Sequence, residues 1–461
     1  MTGRDRHAVV IGASIAGVLA ARVLAEHYDH VTLVDRDEVP SRPVLRGGVP
    51  QGRHVHGLLS AGLTVIEGMF PGTTEDLVAR GAQLGDAQQE GRYFFGPQPL
   101  ASGHADLPAL GVSRPLLEWY LRQRLLRDFP VSLLDRTSVL DLAFSADERR
   151  VVGLIVSDCD AGSPRLLPAL LAVDASGRTS RTPEWLERRG FPMPPEDVRR
   201  VDKHYATRAF RRARQPGEPI VLTAPSGPGR PRGAVMLAQE DDVWTVSLTA
   251  RDGERPPLGL DEFRAWASRL ASPALADESE RLVPIDEGAR FRFPANRRRH
   301  YERLDRFPRG LVVTGDALCA FDPVYGQGMS VAALEAATLD RCLADGVVGL
   351  ARRFHAAAAT TIDTPWTIAA GGSTERPAPL RERLTQQYLG RLIRSAAYDP
   401  VLAAAFLRVN HLVDRPQDLL RPSLALRVGR GPRFSETAVR ADARQGQRPV
   451  ARGATGRRLT S

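Results

Sequence analysis

A glycine-rich turn near residue 12 has the residue types and the spacing to bind the phosphates of a dinucleotide. It reads Gly12-Ala-Ser-Ile-Ala-Gly17 and follows the apolar run His7–Ile11, which is typical of a buried parallel strand. Gly12 allows a tight turn, and Gly17 lets a helix expected over 18–27 pack closely on the strand. Free N–H groups at the helix start would bind a pyrophosphate. The residues expected there are Gly12, Ser14, Ile15, Ala16 and Gly17.

An acid follows the second strand of this unit at the distance expected for a ribose contact. Asp35 ends the apolar run 30–35, 23 residues after the first glycine. Its carboxylate would bond the ribose hydroxyls and repel a 2′-phosphate, so the adenosine bound here belongs to FAD or NAD and not to NADP. Arg36 and Arg46 are expected to contact the same cofactor, Arg46 by clamping a phosphate. Ser14 replaces the middle glycine of the usual GxGxxG pattern, and its small hydroxyl could bond a phosphate oxygen.

A second group of residues, about 300 positions later, adds a surface for a flat ring. The apolar run 310–314 leads into Gly315-Asp316, and a Pro/Gly-rich loop then precedes a helix expected over 329–343. The Asp316 carboxylate can accept hydrogen bonds from a ribityl chain, and the helix N-terminus can stabilise negative charge at the edge of a reduced flavin. NAD has no use for such a surface, so this group selects FAD. The residues expected at the flavin are Gly315, Asp316, Gly326, Gln327, Gly328 and Met329.

A third motif lies between these two in the sequence. Asp174-Ala-Ser-Gly177 follows the apolar run 166–173. With the early glycine turn and the late Gly-Asp motif, residues 7 to about 345 resemble the p-hydroxybenzoate hydroxylase-type (group A) FAD monooxygenases. That family usually has Asp-Gly where this chain has Asp-Ala-Ser-Gly. The resemblance links Asp174 to FAD and NAD(P)H handling, so the reductant stays open between NADH, NADPH and a partner flavin reductase.

Four further stretches narrow the resemblance. RGGVPQGRHVHGLL, DASGRTSRTPEWL, HYATRAF and FDPVYGQGMS together resemble a bacterial subfamily that includes polyene epoxidases of polyether-antibiotic pathways and natural-product hydroxylases. The resemblance implies FAD contacts from Arg46 and from Arg114, which opens a helix; a surface charge is the alternative for Arg114. It places catalysis at the flavin-edge loop of Pro323, Gly326 and Gly328, with no catalytic side chain identified.

The activity that this resemblance implies is oxygen transfer. A flavin C4a-hydroperoxide, formed from reduced FAD and O2, would epoxidise or hydroxylate an apolar polyketide or terpenoid intermediate in secondary metabolism, such as antibiotic biosynthesis. No base for a phenol is evident in segment 199–293, which favours an alkene substrate. The alternative is a FAD-bound, redox-neutral cyclase, Diels-Alderase-like, that acts on a polyene and would carry the same motifs.

The elements expected around these motifs make an α/β fold. It combines a discontinuous Rossmann-type FAD/NAD(P)-binding domain, an inserted antiparallel β-sheet substrate domain with strands at 203–211, 234–239 and 243–250, and C-terminal helices. The predicted boundaries are 1–75, 100–190 and 294–375 for the FAD-binding domain, 76–99 and 191–293 for the substrate domain, 376–428 for the C-terminal helical region, and 429–461 for a basic disordered tail.

The positive charge of the chain is concentrated at its end. The formal net charge is +9, and residues 429–461 alone hold eight arginines and two acids. Only Phe434 could stack on a base there, so we expect a solvated end, with a phosphate-binding arm as the alternative, and no nucleic-acid partner. Lys203 is the only lysine among 63 basic residues, a bias typical of a GC-rich genome.

The sequence predicts no metal site, no disulfide framework and no membrane-spanning segment. His54 and His56 lack nearby acids, so a packed, hydrogen-bonded role is expected for them instead of a metal site. The three cysteines are far apart, which fits a reducing cytoplasm. The chain begins directly with a strand and has no apolar run near ~18 residues, so neither a signal peptide nor a membrane span is expected.

Overall fold

The apolar runs that precede the sequence motifs become neighbouring strands of one sheet. The computed structural model of the protein describes residues 6–159, 162–227, 229–270, 272–370 and 380–430. Its strands are β1 (His7–Ile11), β2 (His30–Val34), β3 (Gly57–Leu58), β4 (Gln83–Asp86), β5 (Gly91–Tyr93), β6 (Pro108–Gly111), β7 (Val131–Leu134), β8 (Thr137–Phe144), β9 (Val151–Asp158), β10 (Arg165–Pro168), β11 (Leu171–Asp174), β12 (Glu196–Arg211), β13 (Val221–Ala224), β14 (Arg232–Ala238), β15 (Val243–Ala250), β16 (Val283–Pro284), β17 (Ala289–Arg299), β18 (Leu311–Val313) and β19 (Cys319–Ala320). Its α-helices are α1 (Ile15–His27), α2 (Ser60–Met69), α3 (Thr73–Ala79), α4 (Arg114–Asp128), α5 (Thr182–Glu187), α6 (Leu260–Ala267), α7 (Ala274–Glu280), α8 (Gly328–Ala344), α9 (Leu350–Ala370), α10 (Leu380–Ala396), α11 (Pro400–Asn410) and α12 (Pro422–Arg430).

The central sheet is parallel and has the order β18-β11-β1-β2-β7. Its middle strand β1 has Ala8, Val9 and Val10 fully buried, and α1 packs against α8. A strand covered on both faces needs apolar residues at successive positions, which is why these runs show no alternation. The predicted Rossmann-type α/β architecture is confirmed.

A larger sheet has the order β19-β17-β12-β15-β14-β13-β5 and is antiparallel except where β13 meets β5. β15 has the bounds that the sequence predicts, whereas β12 begins at Glu196, well before the predicted start at residue 203. The extra length pairs with β17 and includes a register shift between Arg200 and Lys203. One face of this sheet builds an apolar core with α6 and α7 around Trp244 and Phe263.

The C-terminal helices α10, α11 and α12 share a hydrophobic cluster. α12 runs through Arg430, two residues into the range predicted as a tail, and its Leu424 and Val428 are buried. Residues 431–461, the rest of that predicted tail, lie outside the described residues. Over the described ranges, no helix has both the length and the apolar character to cross a membrane. The domain boundaries stay a prediction.

Candidate active site

The sequence motifs meet at one edge of the parallel sheet. Gly12 follows β1, Asp35 follows β2, Asp174 ends β11 and Thr314 follows β18. Because β2, β1, β11 and β18 are consecutive in the sheet, their carboxyl ends bring these residues together. In open α/β sheets, ligands bind in the crevice outside this edge.

The first turn is shaped by close backbone packing. Gly12 has φ +100°, and a Cβ there would lie 2.6 Å from the Ala175 carbonyl oxygen. A Cβ on Gly17 would lie only 1.7 Å from the Gly12 carbonyl oxygen. The first i→i−4 bond of α1 runs from Val18 N to Ser14 O, at 2.9 Å. The N–H groups before Val18 therefore lack helical acceptors, and they point out of the helix end as an anion site requires.

Asp35 holds this turn together. One of its carboxylate oxygens accepts hydrogen bonds from Ala13 N at 2.7 Å and from Arg46 at 2.9 Å. The other oxygen accepts from Asp37 N at 3.0 Å. Arg36, in contrast, is exposed and lies 3.9 Å from Asp37. Asp35 and Arg46 are thus at the edge of the sheet, and the Arg36 side chain is turned to solvent.

The two predicted arginines converge on an acid that the sequence analysis missed. Glu118 of α4 lies 2.8 Å from Arg114 and 3.7 Å from Arg46. Ser14 donates to Glu118 at 2.5 Å and accepts from Arg114 at 2.7 Å. Burial alone would raise the pKa of Glu118, but Arg114 and Arg46 hold it below its usual value. Ser14 therefore joins a buried ionic network instead of standing free beside the turn.

Asp174 is enclosed by its own loop. It is fully buried, and its carboxylate accepts from the Ser176 N–H and hydroxyl, from Ser180 and from Thr182, at 2.5–2.9 Å. The structure therefore places this side chain as a brace for residues 174–182. The backbone of that loop, at Ala175, is the part that touches the glycine turn.

The late motif rests on a second buried acid, Glu335 of α8. Its carboxylate accepts from the Thr314 hydroxyl at 2.7 Å and from Gly315 N at 2.6 Å. Burial raises the pKa of Glu335 to about 7. Burial also raises the pKa of Asp316, while Arg114 and Arg178 act to lower it. Arg114 therefore acts electrostatically on both ends of the site.

The predicted flavin-edge loop is open on one side. Asp322 caps the short 3-10 turn Pro323–Tyr325 by accepting from Val324 N at 3.2 Å. Gly326 has φ +65°, and a Cβ on Gly328 would meet nothing within 4 Å. A flat group can therefore lie against this backbone.

Several predicted residues can offer only their backbone to a ligand. Ile15 and Met329 have buried side chains in the hydrophobic core. Gln327 is also buried, but only its amide nitrogen is paired, donating to Asn410 O at 3.1 Å, while its Oε1 has no hydrogen-bond partner. A Cβ on Gly315 would lie 2.7 Å from the Cβ of Ala16, so α1 and the Gly-Asp turn are in direct contact.

One face of the larger sheet adjoins this loop and carries polar side chains. Lys203 and Tyr205 of β12 reach Asp322: Lys203 Nζ lies 2.7 Å from Asp322 Oδ2, and the Tyr205 hydroxyl donates to Oδ1. His54 is hydrogen-bonded to the Thr207 hydroxyl at 2.7 Å, and burial lowers its pKa to about 4. The packed role predicted for His54 is confirmed.

Sequence reasoning missed Glu118, Lys203, Tyr205, Asp322 and Glu335 as members of the site. Glu118 had a usable signal, since it lies four residues after Arg114 on a predicted helix. The pairing of Lys203 with Asp322 joins residues far apart in the chain, and only the fold reveals it. In the part of the chain that the structure describes, no three His, Cys, Asp or Glu side chains cluster as a metal site.

A separate groove of about 840 Å³ lies between segment 95–100 and the helices α10 and α12. Its walls include Phe95, Leu100, Tyr388 and Val428. None of the predicted cofactor residues borders it.

No known protein family model matches the chain. Protein Rv3254 of Mycobacterium tuberculosis (strain ATCC 25618 / H37Rv) is 36% identical to it over 436 residues, which cover 90% of this chain and 92% of that protein. The chain belongs to the family of Protein Rv3254. The family relation spans nearly the whole chain.

Solved structures show the fold of this family at lower identity. PqsL, a probable FAD-dependent monooxygenase from Pseudomonas aeruginosa, is 16% identical, with 80% of this chain and 97% of that chain covered and a TM-score of 0.59. The myxobacterial chondrochloren halogenase CndH, a FAD-dependent enzyme, is 19% identical, with 88% and 97% covered and a TM-score of 0.60. The Diels-Alderase PyrE3 of pyrroindomycin biosynthesis is 19% identical, with 89% and 81% covered and a TM-score of 0.56. The family therefore has the fold of FAD-dependent monooxygenases and halogenases.

Proposed function

We propose that the protein is a FAD-dependent monooxygenase that epoxidises or hydroxylates an apolar polyketide or terpenoid intermediate of secondary metabolism. One observation carries the proposal. Loops that follow adjacent parallel strands bring the N-terminus of α1 and the carboxylates of Asp35 and Asp316 to one edge of the sheet, and the loop after β19 continues to the open backbone at Gly328. The helix N-terminus suits the pyrophosphate of FAD, the carboxylates suit its ribose and ribityl hydroxyls, and the open backbone suits its flavin ring. NAD would leave the open backbone unused.

The residues present fit FAD. The amides at the start of α1 suit the pyrophosphate, and Asp35 and Arg46 lie beside them. Asp316 follows β18 at the same edge of the sheet, and its carboxylate would accept hydrogen bonds from the ribityl chain. Gly328, at the N-terminus of α8, borders open space within 4 Å of where a Cβ would be, and Gly326 has only Leu59 at that distance. CndH, which shares the fold, is a FAD-dependent halogenase, and PqsL is a probable FAD-dependent monooxygenase.

Bound FAD would supply oxygen activation after reduction by NAD(P)H that binds transiently or by a partner flavin reductase. The chain's own residues would bind the phosphates, stabilise charge on the ring and orient the substrate. Arg46 and Arg114, locked by Glu118, hold fixed positive charge near the phosphates. The N-terminus of α8 presents amide dipoles that stabilise negative charge on the adjacent ring edge. The sheet face that carries Tyr205 and Thr207 orients the substrate.

The test is the colour and the redox behaviour of the purified protein. A monooxygenase should copurify with flavin that absorbs near about 450 nm and should be reduced by NADH, NADPH or a flavin reductase when a substrate is present. Protein without flavin would overturn the cofactor assignment. Flavin that no donor reduces in the presence of a converted substrate would overturn the monooxygenase assignment.

A redox-neutral cyclase is the second candidate, because the Diels-Alderase PyrE3 shares the fold. In that case FAD would act as a structural element and a polyene would be cyclised without O2. Anaerobic turnover separates the two functions: a cyclase keeps its rate without oxygen, and a monooxygenase stops.

A further inference from the structure

Lys203 is the single lysine of a chain in which the other 62 basic residues are arginine. It lies on β12, and only 6% of its side chain is exposed. Arginine presents a wide planar fork of donors, whereas lysine presents a compact ammonium group on a flexible stem. A lysine at this buried position therefore offers a donor geometry that the chain uses nowhere else.

The ammonium group of Lys203 has donors to spare. Among the described residues its ion-pair partner is Asp322, whose Oδ2 lies 2.7 Å away, and Asp322 is 1% exposed. An ammonium carries three N–H donors, and no hydrogen bond from Lys203 to another residue occurs within the described ranges. Asp322 itself is engaged by Tyr205 and by Val324 N. The pair is thus neutral, rigidly held and still able to donate.

The spare donors lie where the sheet meets the flavin-edge loop. Asp322 begins the turn that leads to Gly326 and Gly328, and the Tyr325 ring centroid is 5.8 Å from Lys203 Nζ. Tyr205 pairs with Thr249 on β15, whose hydroxyl is buried without a hydrogen-bond partner. This end of the sheet face is therefore polar, in contrast to an all-apolar pocket for a hydrocarbon.

We propose that Lys203 binds the substrate by donating a hydrogen bond to an acceptor oxygen, a carbonyl oxygen or the hydroxyl of a phenol or enol. The inference rests on the proposed function and narrows its substrate class: the reacting region of the substrate carries oxygen and is not a bare alkene. Because Asp322 already balances the ammonium charge, a neutral acceptor is favoured over a carboxylate. Without such an oxygen, the remaining N–H donors of Lys203 would be left to water at the edge of the loop.

Two probes of equal shape test this role, 2-naphthol and 2-methylnaphthalene. Dissociation constants come from the fluorescence of each probe with flavin-loaded protein. We expect 2-naphthol to bind at least about tenfold more tightly, the effect of one hydrogen bond to a charged donor. The double variant Lys203→Met/Asp322→Asn removes both charges together, so neither is left buried alone, and should bring the ratio within about twofold. Arg292→Met, which removes a 63% exposed cation from the adjacent β17, should keep the full ratio.

Two results would overturn the role of Lys203. One is a wild-type protein that binds 2-naphthol less than about threefold more tightly than 2-methylnaphthalene, or that binds neither probe. The other is a double variant that is folded by circular dichroism and still binds 2-naphthol about tenfold more tightly. The flavin content, read separately by absorbance, distinguishes the two proposals. Yellow protein without selectivity removes only the role of Lys203. Colourless protein that keeps the selectivity removes only the FAD assignment.

Discussion

The first and last glycine-rich loops at the sheet edge use glycine for different physical reasons. At Gly17 a Cβ would collide with the Gly12 carbonyl oxygen at 1.7 Å, so glycine there is demanded by the protein's own packing. At Gly328 a Cβ would meet nothing within 4 Å, so the chain itself does not demand glycine. Glycine in the first loop is therefore required by the fold, whereas Gly328 in the last loop borders open space that the proposed flavin would use.

The charged groups show the same contrast. Around the first loop, Asp35, Arg46, Arg114 and Glu118 form ion pairs of 2.8–3.7 Å, with only Arg46 Nε lacking a hydrogen-bond partner among their buried atoms. Around the last loop, Glu335 keeps one buried oxygen without a hydrogen-bond partner, and Lys203 keeps spare donors. The charges at the first loop are therefore paired within the chain, whereas the last loop has a lysine with donors to offer to a ligand.

The largest expected effect is on folding. Gly17→Ala should destabilise the protein by more than about 3 kcal/mol, or abolish soluble expression, because a backbone oxygen cannot yield to a Cβ at 1.7 Å. Urea unfolding measures the loss. A free energy of unfolding within about 1 kcal/mol of wild type would show that the first loop tolerates a side chain as well as the last loop does.

A smaller, pH-dependent effect is expected at Glu335. Its pKa of about 7 in the folded protein lies above the usual 4.5, so the folded state favours the neutral acid and loses stability as the pH rises from about 4.5 through 7. Glu335→Gln cannot ionise and should gain stability relative to wild type, by up to about 3 kcal/mol at pH 8.5 and by little at pH 4.5. Urea unfolding at the two pH values, with the exposed Glu262→Gln as control, measures the difference. Parallel profiles for Glu335→Gln and wild type would contradict it.

Removal of the Asp316 carboxylate should weaken cofactor binding and leave the fold intact. Asp316→Ala loses the acceptor for the ribityl chain, and we expect at least about tenfold weaker FAD binding, measured by flavin fluorescence during reconstitution. Asp147→Ala, at an exposed acid, is the matched control. Full flavin occupancy in Asp316→Ala would show that this carboxylate has another role.

A substitution at Gly328 in the last loop tests the opposite case to Gly17, a glycine whose side-chain position is open. Gly328→Val should fold normally, with unfolding free energy within about 1 kcal/mol of wild type, because its side chain enters open space. The same side chain would occupy the surface proposed for the flavin, so FAD binding should weaken several-fold. Normal FAD affinity in Gly328→Val would show that the open space serves no ring.

The smallest effect is expected at Arg36. Its side chain is exposed and only loosely paired with Asp37, so Arg36→Ala should change FAD affinity by less than about twofold. A larger loss, measured by the same reconstitution, would mean that this side chain turns toward the cofactor.

Local patterns in the sequence were enough for some of the strands, such as β1 and β15, but not for the start of β12. β1 and β15 have their predicted bounds because a buried run or an alternating run fixes a strand by itself. Asp174 shows the limit of a motif, since the Ser and Thr residues of DASGRTSRT, printed beside it in the sequence, close around its carboxylate. The partnership of Lys203 with Asp322 had no local sign, because the distant strands β12, β17 and β19 must pair in one sheet before the residues meet.

The buried, solitary lysine also has a practical consequence. Isotopic labelling with ¹⁵N-lysine would introduce one side-chain ammonium resonance for the entire chain, located next to the proposed substrate site. That one signal could follow ligand arrival and flavin loading in real time. The composition bias that removed lysine elsewhere has left the protein with its own spectroscopic reporter.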